Sequence, residues 1–261
     1  MKIGIFDSGL GGLVITRSFI RLLPQYDYFY YGDSAHLPYG DKTSGQILAY
    51  TLESLKYMIA NDCRLIIIAC NTATSVCLRY IQQRFIPEYA PAVKVLGVVI
   101  PTVETALVDG AKKIGVAATS ATVRSHIYQT ELRKIVSDLA VTEVAVPDLV
   151  PSIENNDFFA ASAAVRRAAV SFADCDSLIL GCTHYPLVKD FFAAELPQTK
   201  IVSQDELMGE KLRDYLQRHP EIVADLCTGG QRQFVVSRLN RHAEQVAELL
   251  LPDICLQERK M

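Results

Sequence analysis

Short apolar runs rich in β-branched residues recur along the chain, separated by longer stretches whose apolar positions return every three or four residues. Ile3–Phe6, Leu65–Ala69, Val95–Ile100, Ile114–Ala117, Val141–Val146 and Leu178–Gly181 are runs of the first kind. That is the pattern of strands buried on both faces of a parallel sheet. Gly45–Ala60, Thr74–Phe85, Thr122–Leu139, Phe158–Phe172 and Asp205–Gln217 follow the helical period. Gln233–Ser237 reads as a further strand and Asn240–Leu251 as a further helix. Strands alternating with helices of this length predict an α/β fold of open, doubly wound sheets with mostly parallel strands.

The pattern also repeats. Asp62-Cys63-Arg64-Leu65-Ile66-Ile67-Ile68-Ala69-Cys70-Asn71-Thr72 aligns with Asp174-Cys175-Asp176-Ser177-Leu178-Ile179-Leu180-Gly181-Cys182-Thr183-His184 at an offset of 112 residues. Lys2-Ile3-Gly4-Ile5 aligns with Lys113-Ile114-Gly115-Val116 at an offset of 111. Two matches at nearly one spacing indicate a duplicated α/β unit. We therefore expect two domains: residues 1–97 with 210–261 as a discontinuous N-terminal unit, and residues 98–209 as the second. In doubly wound sheets ligands sit beyond the carboxyl ends of the strands. The polar groups there are Asp7-Ser8, Cys70-Asn71-Thr72, Thr119-Ser120 and Cys182-Thr183-His184. If a pseudo-twofold axis relates the units, Cys70 and Cys182 approach one cleft from opposite sides.

Composition narrows the classes. The 261 residues carry 26 Lys and Arg against 29 Asp and Glu, a formal charge of −3, with no basic block of the kind that binds nucleic acid. No apolar stretch is long enough for a membrane span. The N-terminus turns polar at Asp7 and then glycine-rich, unlike a secretory signal. Seven cysteines, an odd number, argue for reduced thiols in the cytoplasm rather than a disulfide framework. Without a Cys-x-x-Cys or a His-x-x-x-His pair, and with His36, His126, His184, His219 and His242 scattered, no metal is expected.

Two related thiols in one cleft suit proton transfer. Inverting a stereocentre by proton exchange needs a base on one face and an acid on the other, with the roles exchanged in reverse. Both cysteines precede expected helix starts, where Thr72 and Thr74 resemble N-caps and Pro186 follows the second site; a helix N-terminus favours the thiolate. By position, His184 exchanges a proton with Cys182 and Asp7 does so with Cys70, although Asp7 has a rival role capping the helix after Gly11. Cys63 and Cys175 fall at the far ends of the same strands, and with Cys77, Cys227 and Cys255 are read as structural.

Other classes compete. Asp7-Ser8-Gly9-Leu10-Gly11-Gly12 opens a helix after a strand, and Asp33 follows later, but the third position of a dinucleotide fingerprint is Val14. A nucleotide-binding regulatory protein is one alternative; a loop whose N–H groups bind a carboxylate explains the glycines as well. A thiol hydrolase would need one cysteine with a histidine and leaves the repeat unexplained.

Four segments carry a family resemblance: Ile5–Leu13, Tyr31–Gly40, Ala69–Ala73 and Leu180–Leu187. They resemble glutamate racemases of the aspartate/glutamate racemase superfamily, in order and spacing. The resemblance implies interconversion of L- and D-glutamate for peptidoglycan, without pyridoxal phosphate or any other cofactor, by a cytoplasmic bacterial homodimer. Carried over, Cys70 takes the proton from the D-isomer and Cys182 from the L-isomer, Asp7 and His184 tune the thiols, and Glu154 assists. Substrate contacts fall to Asp7, Ser8, Pro38, Tyr39, Gly40, Asn71, Thr72, Thr119, Thr122, Thr183 and His184. The chain departs from the family pattern at Ile100, at Ser152 and Asn155 beside Glu154, and at Val202–Asp205. Sister aspartate racemases share the two thiols; Pro38-Tyr39-Gly40 favours glutamate.

Overall fold

The computed structural model describes residues 1–259 except Asp109 and Asp253. Among these residues ten strands form two sheets, and every pairing between them is parallel. The strands are β1 (Lys2–Asp7), β2 (Tyr28–Gly32), β3 (Cys63–Ile68), β4 (Lys94–Gly97), β5 (Lys113–Ala118), β6 (Ala140–Ala145), β7 (Ser177–Gly181), β8 (Lys200–Val202), β9 (Arg232–Val236) and β10 (Leu256–Glu258). The first sheet runs β10-β9-β2-β1-β3-β4 and the second β6-β5-β7-β8.

Four strands of the first sheet thus repeat the order of the second, and the sequence repeat reappears as register. Gly4 of β1 lies opposite Ile66 of β3, and Gly115 of β5 opposite Leu178 of β7. The C-terminal segment returns to the first sheet, where β9 pairs with β2. Each sheet is covered on both faces. Helices Gly12–Leu22, Gln204–Arg218 and Arg241–Leu250 bury Leu13, Phe19, Met208, Leu212 and Val246 on one face of the first sheet. Helices Ser44–Ala60 and Asn71–Tyr80 cover the other, with Ile47, Leu55, Met58 and Cys77. Helix Phe158–Ala169 lies on one face of the second sheet and helices Val99–Ala106 and Ile127–Ile135 on the other.

The structure redraws several elements. The apolar run Val95–Ile100 is divided: the strand ends at Gly97, where a Cβ would lie 2.5 Å from Thr74 Cγ2, and Val99–Ala106 is helical. Pro101 is accommodated in the first turn of that helix, where its missing N–H has no partner to lose. Thr122–Leu139 is not one helix but Ser120–Ser125 and Ile127–Ile135, broken at His126, which adopts left-handed backbone with φ of 50°. The helix expected from Thr74 begins at Asn71, and its continuation over Ile81–Phe85 is π-helical. Helix Gln204–Arg218 straddles the boundary expected at residue 209 and packs on Gly12–Leu22, with Gly209 against Leu22 and Ser18. Among the described residues, no helix is long and apolar enough to cross a membrane.

Glycine in the middle of the first strand of each sheet leaves a notch. Met58 fills the notch at Gly4, and Phe172, fully buried, fills the one at Gly115. Phe172→Ala is expected to cost about 3–5 kcal/mol, the range for emptying a buried aromatic position. Urea unfolding would measure it, and a loss below about 1 kcal/mol would show that the second sheet does not depend on this plug.

Candidate active site

β1 and β3 are neighbours whose chain connections leave in opposite directions, and so are β5 and β7, so each sheet has a switch point between those strands. Cys70 follows β3 and Cys182 follows β7, and both line a single cavity between the sheets. The cavity measures about 70 Å³. It is lined by Ser8, Pro38, Tyr39, Gly40, Asn71, Thr72, Thr119, Thr183 and His184, all anticipated from the sequence. Asp7, Thr122 and Glu154 stand behind that lining and act on it through partners. Thr122 Oγ1 lies 3.0 Å from Thr119 Oγ1, which is 2.8 Å from Thr72 Oγ1, so a row of hydroxyls joins the two units across the cleft.

The two thiols are held differently. Cys70 is itself the N-cap of helix Asn71–Tyr80; its Sγ accepts from the Ala73 N–H at 3.4 Å and donates to Ser8 Oγ at 3.3 Å. Neither Thr72 nor Thr74 is the cap, because the helix begins before them and Thr74 Oγ1 donates back to the Ile68 carbonyl. Burial first, and then the charge of Asp7, push the Cys70 thiol up to about 12, so it holds its proton at neutral pH. Cys182 precedes no α-helix directly. Its neighbour is His184, whose Nδ1 lies 4.0 Å from the sulfur and whose Nε2 lies 2.9 Å from Glu154 Oε1. Burial opposes charge on that ring, but hydrogen bonds to Cys182 and Glu154 outweigh it and raise His184 to about 10. The same ring holds Glu154 below the usual carboxylate range against its own burial.

Asp7 is fully buried, which raises its pKa despite the opposing pull of His184. Its carboxylate accepts from the Gly9 N–H at 2.9 Å, from the Thr183 hydroxyl at 3.3 Å and from the Gly12 N–H. The hydrogen-bond partner of Cys70 is therefore Ser8, and Asp7 reaches that thiol through its charge. The N-cap position of helix Gly12–Leu22 is Gly11, without a side-chain bond, and Asp7 meets the helix start from outside it through the Gly12 N–H.

The glycine-rich loop is already filled. A Cβ at Gly11 would stand 2.4 Å from Thr183 Oγ1 and 2.5 Å from His184 Nδ1, and one at Gly12 would stand 2.7 Å from the Asp7 Cβ. The glycines let the second unit close on the first, and the Gly9 N–H is spent on Asp7, so this loop is not shaped as a phosphate cradle. Asp33, the acidic residue a dinucleotide site would use, is enclosed by Tyr39, His36 and Ser237.

Sequence reasoning missed part of the wall. Leu37, Asp41, Val146, Pro147, Val150 and Pro151 also line the cavity, beside Ser120, which was expected at a strand's carboxyl edge. Val146 could have been found, since it follows β6 at the carboxyl edge. The described lining contains no Lys or Arg. No group of three or more His, Cys, Asp or Glu among the described residues is placed to hold a metal ion.

Two α/β units with one cavity between their sheets are the architecture of a two-domain α/β protein with an inter-domain site. Residues 12–208 match the family model of Asp/Glu/hydantoin racemases, and the chain belongs to that family. Among similar proteins, a glutamate racemase of Caulobacter sp. (strain K31) is 34% identical, covering 91% of this chain and 92% of its own. One of Roseobacter denitrificans is 38% identical over 84% of this chain and 87% of its own. The solved glutamate racemase of Bacillus anthracis superposes with a TM-score of 0.89 at 29% identity, covering 100% of this chain and 97% of that one. That of Francisella tularensis, solved with D-glutamate, gives 0.86 at 29% identity over 98% and 95%.

Gly11→Ala is expected to press Thr183 and His184 off the loop and to destabilise the protein by about 1–3 kcal/mol, the range for overpacking. Denaturant unfolding would measure this. A variant as stable as the parent would show that the contact yields without cost.

Proposed function

We propose that the enzyme interconverts L- and D-glutamate by moving the α-proton between Cys70 and Cys182, without pyridoxal phosphate or metal. The observation that carries this is the pair of thiols, one from each sheet, lining one small cavity. The glutamate racemases among its relatives support the substrate. Such an enzyme supplies D-glutamate for peptidoglycan in a bacterial cytoplasm. We also divide the chain functionally into residues 1–97 with 210–261, which bring Cys70, and 98–209, which bring Cys182.

From L-glutamate, the Cys182 thiolate removes the α-proton. The electron pair left on the α-carbon then takes a proton from the Cys70 thiol on the opposite face. Cys182 ends as a thiol and Cys70 as a thiolate; the reverse reaction restores both. The charged His184 ring stands beside Cys182 and can balance the charge of the base, while Cys70 begins as the acid because its proton is held tightly. When Cys70 is the thiolate, its position at a helix N-terminus and the Ser8 hydroxyl stabilise it. Substrate carboxylates are met by hydroxyls, the Asn71 amide and backbone N–H groups. A cavity of about 70 Å³ is far below the 300–1,000 Å³ or so typical of ligand pockets. The two units therefore part to admit substrate and close to exclude water.

Incubation of the purified enzyme with L-glutamate in D₂O, without added cofactor, should give loss of optical rotation with deuterium at the α-carbon. Cys70→Ser and Cys182→Ser should each lower racemisation at least a thousandfold, and near-normal turnover in either would end the two-thiol scheme. Exchange with aspartate but not glutamate would keep the chemistry and change the substrate.

Glu154→Gln tests the His184 pair. The carboxylate favours the charged ring, so its loss lowers the ring pKa from about 10, and the charged form disappears at lower pH. The alkaline limb of the L-to-D kcat profile should move to lower pH. An unmoved limb would show that Glu154 does not sustain the charge beside Cys182.

A further inference from the structure

Asn71 follows Cys70, is 2% exposed and lines the cavity, yet most of its amide is committed behind the wall. Its Oδ1 accepts from the Tyr128 hydroxyl at 2.6 Å and from Gln204 Nε2 at 2.9 Å. Its Nδ2 donates to Gln204 Oε1 at 2.8 Å. The two amides form a closed pair, and Gln204, at the start of helix Gln204–Arg218, is fully buried.

An amide pair of this kind has two senses, related by flipping both groups. One further contact selects between them. The Thr102 hydroxyl donates to the Val98 carbonyl at 2.6 Å, so its oxygen can only accept from Gln204. The Gln204 atom facing Thr102, at 3.1 Å, must therefore be the nitrogen. Gln204 then turns its oxygen to Asn71 Nδ2, and Asn71 must turn its own oxygen inward to Gln204 and Tyr128. What remains of the Asn71 amide is the second N–H of Nδ2. The side of the amide left to the cavity is a donor, not an acceptor.

The geometry points to Gln204 as a positioning residue for substrate recognition: through Asn71 it fixes a hydrogen-bond donor in the cleft, suited to a carboxylate of the amino-acid substrate. This rests on the racemase reading above. The chain of dependence runs Val98 carbonyl, Thr102, Gln204, Asn71, substrate, and it passes from the second unit into the first. Gln204 itself does not line the cavity. Without it the Tyr128 hydroxyl alone holds the Asn71 oxygen inward, and a turned amide brings that oxygen towards the substrate carboxylate, where two acceptors repel. The interaction serves binding in both ground state and transition state, so its loss falls on KM more than on kcat.

The test is steady-state racemisation of glutamate in both directions by the wild type, Gln204→Leu, Asn71→Ala, the double variant and Thr102→Val. Gln204→Leu should raise KM about tenfold, as loss of a hydrogen bond to a charged group does, with a much smaller effect on kcat. In the double variant KM should be no higher than in Asn71→Ala alone, because Gln204 acts only through Asn71. Thr102→Val, which removes the contact that selects the sense of the pair, should raise KM in the same manner but less; it keeps the proposal testable if Gln204→Leu fails to fold. A folded Gln204→Leu or Thr102→Val with unchanged KM, or effects of Gln204→Leu and Asn71→Ala that multiply, would overturn the proposal. A wild type that racemises no glutamate would instead overturn the racemase reading.

Discussion

Where the glycine-rich loop after β1 meets the loop after β7, there is no room for a side chain on the first partner. Gly11 sits against Thr183 and His184, and Gly12 against Asp7. This close approach lets the Thr183 hydroxyl reach the buried Asp7 carboxylate and sets His184 between Cys182 and Glu154. It also closes the cavity to a small volume, in which proton positions are governed by a few named groups. Substituents on the loop would separate the two sheets, and with them the two thiols. The glycines therefore serve the joining of two units.

The duplicated fold delivers two cysteines to equivalent strand ends, but it does not give them equivalent surroundings. Cys70 caps a helix of ten residues and has a hydroxyl partner. Cys182 is followed by the short 3-10 turn Tyr185–Val188 and so lacks that N-terminus. In its place stands an imidazole whose charge is sustained by a carboxylate. The two devices differ in kind: aligned backbone N–H groups face the sulfur of Cys70, and a full charge stands beside that of Cys182. The second carries a cost that the first does not, since a buried cation needs a partner, and Glu154 supplies it. Position came from the duplication; the balance of acidities came from separate local solutions.

Much of this was legible in the sequence because the periodicity of buried parallel strands is strong and a repeat announces itself. β1, β3, β5 and β7 were read within a residue or two, and the thiols followed from their place at strand ends. β2 was harder: Tyr28-Phe29-Tyr30-Tyr31-Gly32 is buried throughout, but its hydroxyls disguise it, two of them bonding to backbone carbonyls. β8 and β10 have three residues each, too few for any period to show. Val95–Ile100 misled because β-branched side chains buried in a helix look like those buried in a strand. Gln204 stood out only as a departure from the family pattern, since nothing local connects it to Asn71, 133 residues away.

The lack of Lys and Arg in the described lining fits the proposed chemistry better than a cationic wall would. A dicarboxylate substrate invites a guanidinium, and a binding protein would profit from one. In the proposed reaction the two thiols exchange roles, so neither may be fixed as the permanent base. A cation placed beside one of them would favour that thiolate in both halves of the reaction and slow the half that needs it protonated. Hydroxyls and amide N–H groups bind anions with dipoles that act over a shorter range, and so disturb the balance less. The one cation in the described lining is His184, and its charge is balanced by the paired Glu154 carboxylate. On this reading a wall without Lys or Arg and the positioned Asn71 amide answer the same requirement: recognition of a charged substrate without a permanent cation.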